Sequence, residues 1–82
     1  MYTSIDFGKD LKKKLATYPN ILEVSTWAHN DIFMKKCAEM DKKTDNTVMA
    51  ICYMEMGEEY EYTIEELHEI ADKLIAGEEV DI

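Results

Sequence analysis

Arginine is absent from this 82-residue chain, and serine occurs only as Ser4 and Ser25. Proline appears once, glycine three times and cysteine twice. Each shortage removes a class of function. Without arginine there is no bidentate guanidinium fork for phosphate or carboxylate. Gly8, Gly57 and Gly77 are isolated, and Gly8-Lys9 lacks the upstream glycine of a phosphate-binding loop. No seryl nucleophile motif surrounds either serine. Cys37 and Cys52 are too few for a disulfide scaffold. Met1–Asp10 has no basic stretch followed by an apolar core, so no signal peptide is read there and the thiols are expected to be reduced, in the cytoplasm. No apolar run approaches the length of a membrane span. A chain of this size is expected to form one domain, 1–82, with one modest core.

What is abundant is acid. Eighteen Asp or Glu against nine Lys leave a formal charge of -9. That balance opposes direct binding to nucleic acid, whose phosphates reward cations, and binding to an anionic membrane. The charge is unevenly spread. Residues 1–43 hold eight lysines and six acids, with a basic cluster at Lys12, Lys13 and Lys14. Residues 44–82 hold twelve acids and only Lys73. The acidity is therefore a property of the C-terminal half.

Periodicity supplies a coarse secondary structure. Thr3 and Asp6 fit a capping pair. Phe7, Leu11, Leu15 and Tyr18 recur at helical spacing, and Pro19 stops the helix, so the pattern predicts a helix over about 4–17. The β-branched stretch Ile21–Ala28 reads as a strand, with Trp27 either its core anchor or an exposed interface residue, although Pro19 would also suit a first helical turn. Asn30 can cap a second helix over about 31–43, with Phe33, Cys37 and Met40 as its apolar stripe. Lys42–Asn46 reads as a loop. Thr47–Met54 is apolar on both alternating faces, which predicts a buried central strand. Gly57-Glu58-Glu59 resembles a hairpin turn leading into a half-exposed strand, Tyr60–Tyr62. Thr63 with Glu66 forms a capping box, followed by Ile64, Leu67, Ile70, Ala71, Leu74 and Ile75 on one helix face, with Gly77 at the C′ position. The tail 78–82 is expected to fray. The order α-β-α-β-β-α predicts an α+β domain, a three-stranded sheet packed by helices.

The search for chemistry yields little. His29, Cys37, Cys52 and His68 form a Cys2His2 set by count, but the paired spacings of a zinc site are missing and both cysteines fall on apolar stretches. The same burial argues against a Cys–His nucleophile dyad. No Ca2+ loop pattern occurs. No metal, cofactor or catalytic residue is expected. The six methionines fit core filling, or adaptable binding surface.

One functional lead remains, the acidic face. The candidate partner-binding residues are Glu55, Glu58, Glu59, Tyr60, Glu61, Tyr62, Glu65, Glu66, Glu69 and Asp72. On a strand, Glu59 and Glu61 would share a face roughly 6.6 Å apart. On a helix, Glu65 with Glu69, and Glu69 with Asp72, would stand about 5–6 Å apart. Such spacing resembles a run of phosphates, and nearby tyrosines can anchor an interface. The expected function is a small acidic protein-binding module. It would occupy a basic, nucleic-acid-binding surface of a partner as an inhibitor, in the manner of mobile-element anti-defence proteins, an analogy of size and charge alone. The alternative is a structural subunit or small homo-oligomer whose acidity serves solubility only.

Overall fold

The computed structural model describes every residue except Glu58, Tyr60, Glu79, Asp81 and Ile82. Among the described residues there are four helices and no strand, so the three-stranded α+β sheet is replaced by a small all-helical domain. The sole extended pairing described is an isolated parallel bridge between Tyr2 and Met40.

Helix α1 spans Ser4–Leu15. Its capping box is formed: the Thr3 hydroxyl accepts from the Asp6 N–H, and Asp6 accepts from the Thr3 N–H at 3.0 Å. Phe7, Leu11 and Leu15 are buried, whereas Tyr18 lies beyond the helix, at φ +56° and almost wholly exposed.

Helix α2 begins as Ile21–Trp27, widens into a π-helical segment at Ala28–Phe33, and ends as Met34–Lys36. The expected first strand is thus a helix. Asn20, not Asn30, is its N-cap: the Asn20 side chain accepts from the Glu23 N–H at 2.8 Å. Val24, Ser25, Ala28 and Ile32 form the buried stripe. Ser25 disguised it, because a polar residue breaks an apolar pattern. Its hydroxyl donates to the Leu22 carbonyl one turn back, so burial leaves it satisfied. Trp27 is partly buried and stacks on Phe7, with ring centroids 6.1 Å apart. It anchors helix to helix rather than strand to core. The helix expected over 31–43 ends at Lys36. A 3-10 turn, Cys37–Glu39, follows, and Cys37 is exposed rather than on a buried stripe.

Helix α3 spans Lys42–Cys52 and continues as a 3-10 turn, Tyr53–Met56. Both the expected loop at 42–46 and the expected central strand at 47–54 therefore belong to one helix. Asp41 caps it, accepting from the Thr44 N–H at 2.8 Å. Thr44, Thr47, Val48, Ile51 and Cys52 are buried, a helical stripe that two threonines hid. Thr47 donates to the Lys43 carbonyl, and the Thr44 hydroxyl meets that of Ser4 at 3.0 Å, linking the starts of α1 and α3.

Helix α4 spans Ile64–Ile75 and carries the expected capping box, Thr63 with Glu66. Leu67, Ile70, Ala71 and Leu74 are buried; Ile64 and Ile75 are partly so. Gly77, at φ +77°, donates to the Leu74 carbonyl, and Glu78 to the Lys73 carbonyl, closing the C-terminus as a Schellman motif. In the tail expected to fray, Val80 packs on the core, while Glu79, Asp81 and Ile82 lie outside the described residues. No strand includes Gly57, Glu59, Glu61 or Tyr62; the Glu58 and Tyr60 positions of the expected hairpin lie outside the described residues.

The most extensive helix pair is α1 with α4. Gly8 makes it possible. A Cβ at that position would stand 2.8 Å from the Leu74 Cβ, 3.0 Å from the Ala71 carbonyl oxygen and 3.1 Å from the Ile75 nitrogen. Gly8 is the point where two helix backbones meet.

Candidate functional site

The acidic residues divide once they are placed. On α4, Glu65, Glu66, Glu69 and Asp72 are all exposed. They are not equivalent. Glu66 is committed to the Thr63 N–H of its own cap, at 3.0 Å. Asp72 takes a 2.9 Å ion pair from Lys12 of α1. The Lys12 ammonium also lies 3.1 Å from His68 Nδ1; since an ammonium only donates, that ring nitrogen accepts. Lys12 thus ties α1 to α4 and neutralises the C-terminal end of the acidic face. Both partners are substantially exposed, so the tie adds little stability. Glu65 and Glu69 remain without a cationic partner among the described residues.

Upstream, Glu59 and Glu61 are exposed and Tyr62 packs partly against the core. With no strand there, the alternate-residue spacing of Glu59 and Glu61 is not the fixed 6.6 Å of an extended chain. The phosphate-like ladder expected on this segment is absent from the described residues. Glu58 and Tyr60, two further candidates, lie outside the described residues.

Glu55 has a different setting. It sits in the 3-10 turn after α3, and its carboxylate lies 3.6 Å from His29 Nδ1 in the π segment of α2, an ion pair when the imidazole is protonated. Two clefts open on either side of it. The first, about 170 Å3, is walled by Phe33, Met49, Cys52, Tyr53 and Met56, with His29 and Glu55 at its mouth. The second, about 460 Å3, lies among Asn20, Ile21, Leu22, Met54 and Gly57, with Glu55 and Glu61 on its rim. Among the described residues, no lysine lines either one. Leu22, Tyr53 and Met56 are among the large apolar side chains most open to solvent. The π segment shapes the first cleft. Its wider turn closes with the Met34 N–H on the His29 carbonyl, five residues back, and the His29 and Phe33 rings stand 6.2 Å apart.

This cleft was not legible from the alternation of 47–54, yet a signal existed. Met49, Cys52, Tyr53 and Met56 stand at i, i+3, i+4 and i+7, a second helical face beside the buried stripe. The first cleft also gathers Cys52, His29 and Glu55, the residue types of a nucleophile triad. Their electrostatics oppose that chemistry. Burial, reinforced by the charge of Glu55, pushes the Cys52 thiol up to about 11, the reverse of thiolate activation. Cys37 is a free, exposed thiol and does not line this cleft. No group of three or more metal-ligating side chains converges among the described residues. No helix among them is long and apolar enough to cross a membrane. No family model, curated protein or solved structure matches the chain.

Proposed function

We propose that this protein is an acidic binding module, not an enzyme, that docks on a basic surface of a partner protein. One observation carries the reading: Glu59, Glu61, Glu65 and Glu69 are exposed without a cationic partner among the described residues, while Asp72 is already neutralised by Lys12. A charge left unpaired on one face steers association with the opposite charge. If the partner surface is a nucleic-acid groove, occupancy makes the protein an inhibitor of that groove. The two free cysteines suit a reducing cytoplasm.

The test separates a functional face from simple solubility. Glu65→Lys with Glu69→Lys changes the net charge by +4, from -9 to -5. Glu23→Lys with Glu39→Lys makes the same change on exposed residues elsewhere. Wild-type bait is expected to retain its partner at low salt and release it at high salt. The α4 variant should lose the partner while the control variant keeps it. Equal losses by both variants would leave the acidity as a solubility device. Lys12→Ala, which frees Asp72, is expected to speed association.

A further inference from the structure

We propose that the cleft between the π segment of α2 and the Tyr53–Met56 turn docks a basic amphipathic helix from the partner protein. The inference rests on the reading of the acidic half as a partner-binding surface, and it names the kind of partner and the place. Three features combine at this site. The cleft wall is apolar, and Tyr53 and Met56 stand 47% and 69% exposed at its edge. Clustered exposed apolar side chains on a small domain mark an interaction surface more often than scattered ones do. The volume of about 170 Å3 equals the share of five or six waters, about the bulk of one large apolar side chain.

The rim supplies the second feature and selects the occupant. Glu55 stands between the two clefts and Glu61 borders the second, with no lysine in either lining among the described residues. An acidic or neutral apolar segment would meet these carboxylates unpaired. A basic amphipathic helix presents an apolar stripe flanked by Lys or Arg, so its anchor enters the cleft as its cations reach Glu55 and Glu61. The third feature is adaptability. Met49 and Met56 are unbranched and polarisable, suited to repacking around an incoming side chain. His29 already faces Glu55, its Nδ1 3.6 Å from the carboxylate.

The methionines make the site directly observable. The protein, carrying 13C-methyl methionine, is titrated with a synthetic Leu/Lys peptide patterned as an amphipathic helix. A peptide of the same composition in scrambled order serves as the comparison. The expected result is movement of the Met49 and Met56 methyl signals while that of Met1, which does not line the cleft, stays fixed. The scrambled peptide and the Met56→Glu variant should each bind about tenfold more weakly or worse, which is about 1.4 kcal/mol. Tyr53→Glu gives a second, independent variant, and circular dichroism checks that both remain folded. Absence of binding by the patterned peptide overturns the proposal. Equal binding by both peptides with Met49 and Met56 unmoved overturns the cleft and leaves the broader acidic reading standing. Binding that moves these methyls but ignores salt overturns the basic partner, and the acidic reading with it. A concentration-dependent dimer that Met56→Glu abolishes overturns it in favour of a second copy of the chain.

Discussion

Gly8→Ala tests the packing on which the whole domain depends. In isolation the change should help, because alanine is favoured over glycine inside a helix by about 1 kcal/mol. The structure opposes that gain. The new methyl would lie 2.8 Å from the Leu74 Cβ, where carbon atoms prefer about 3.5–4.0 Å. Two of its three nearest neighbours, the Ala71 oxygen and the Ile75 nitrogen, are backbone atoms that cannot rotate away. The α1–α4 pair must therefore open by about 0.5–1 Å, loosening Leu11, Leu67, Ala71 and Leu74 together. Overpacking costs about 1–3 kcal/mol, and because two of the close contacts are with backbone this case falls in the upper part of that range, about 2–3 kcal/mol. The expected net effect is a loss of about 1–2 kcal/mol. For a domain of this length that lowers Tm by about 5–15 °C. Urea unfolding followed by Trp27 fluorescence is a suitable assay, because Trp27 stacks on Phe7, the residue beside Gly8. Lys9→Ala, exposed on the next position of the same helix, should change stability by less than about 0.5 kcal/mol. Gly8→Val should be worse than Gly8→Ala. If Gly8→Ala matches or exceeds wild type, the close approach of α1 to α4 is wrong.

Tyr18 offers the opposite experiment. Its side chain is 94% exposed while its backbone is left-handed at φ +56°, a region that costs a non-glycine residue about 1–2 kcal/mol. Tyr18→Gly, after the entropy cost of glycine, is expected to stabilise by about 0.5–1 kcal/mol in thermal unfolding, and a fall in Tm would show that the ring contributes packing. The two thiols should react at very different rates with a thiol reagent near pH 8: exposed Cys37 fast, buried Cys52 slowly. Stability should also fall at both ends of the pH scale. The raised Cys52 thiol contributes stability that is full below the ordinary value of 9.0 and is lost as pH rises towards about 11. Asp6 and Asp41 are held below the carboxylate range by the N–H groups of Thr3 and Thr44, so their contribution is present above about pH 4 and is lost as pH falls through their folded values. Equilibrium denaturation across pH would check both, and a Cys52→Ala variant that keeps the alkaline decline would remove the thiol as its cause.

The helices that open with strong local chemistry were legible. Thr3 with Asp6, and Thr63 with Glu66, announce α1 and α4, and the apolar spacing behind each is unbroken by polar residues. The middle of the chain was not, for two physical reasons. Burial in α2 and α3 uses Ser25, Thr44 and Thr47, whose hydroxyls are buried with their hydrogen bonds already made, so hydrophobicity alone misses a third of the buried stripe residues. α3 is also apolar on two adjoining faces, one packed in the core and one lining the cleft. A helix buried on one face and apolar on a second reads like a strand buried on both. The N-caps Asn20 and Asp41 were present, but both residue types also mark turns, and two lysines in the first turn of α3 run against the helix dipole.

The candidate site was legible as a charge and illegible as a place. Counting acids spreads the lead evenly from Glu55 to Asp72, yet the fold compensates one end of that run. Lys12 must lie against α4 because Gly8, one helical turn earlier on α1, brings the two backbones together. The same contact that stabilises the domain therefore removes Asp72 from the free charge. The carboxylates left over begin at Glu55 and end at Glu69, and their upstream members border the two clefts. Lengthening the α1–α4 distance should consequently do more than destabilise. In a folded Gly8→Ala protein the Lys12–Asp72 pair weakens, and the negative field extends further along α4. The variant should then associate faster with a basic partner at low salt, despite its lower stability, and lose that advantage as salt is added. Stopped-flow association rates for wild type, Gly8→Ala and Lys12→Ala would separate the two effects. If Lys12→Ala leaves the rate at the wild-type value, Asp72 is not part of the surface that the partner feels.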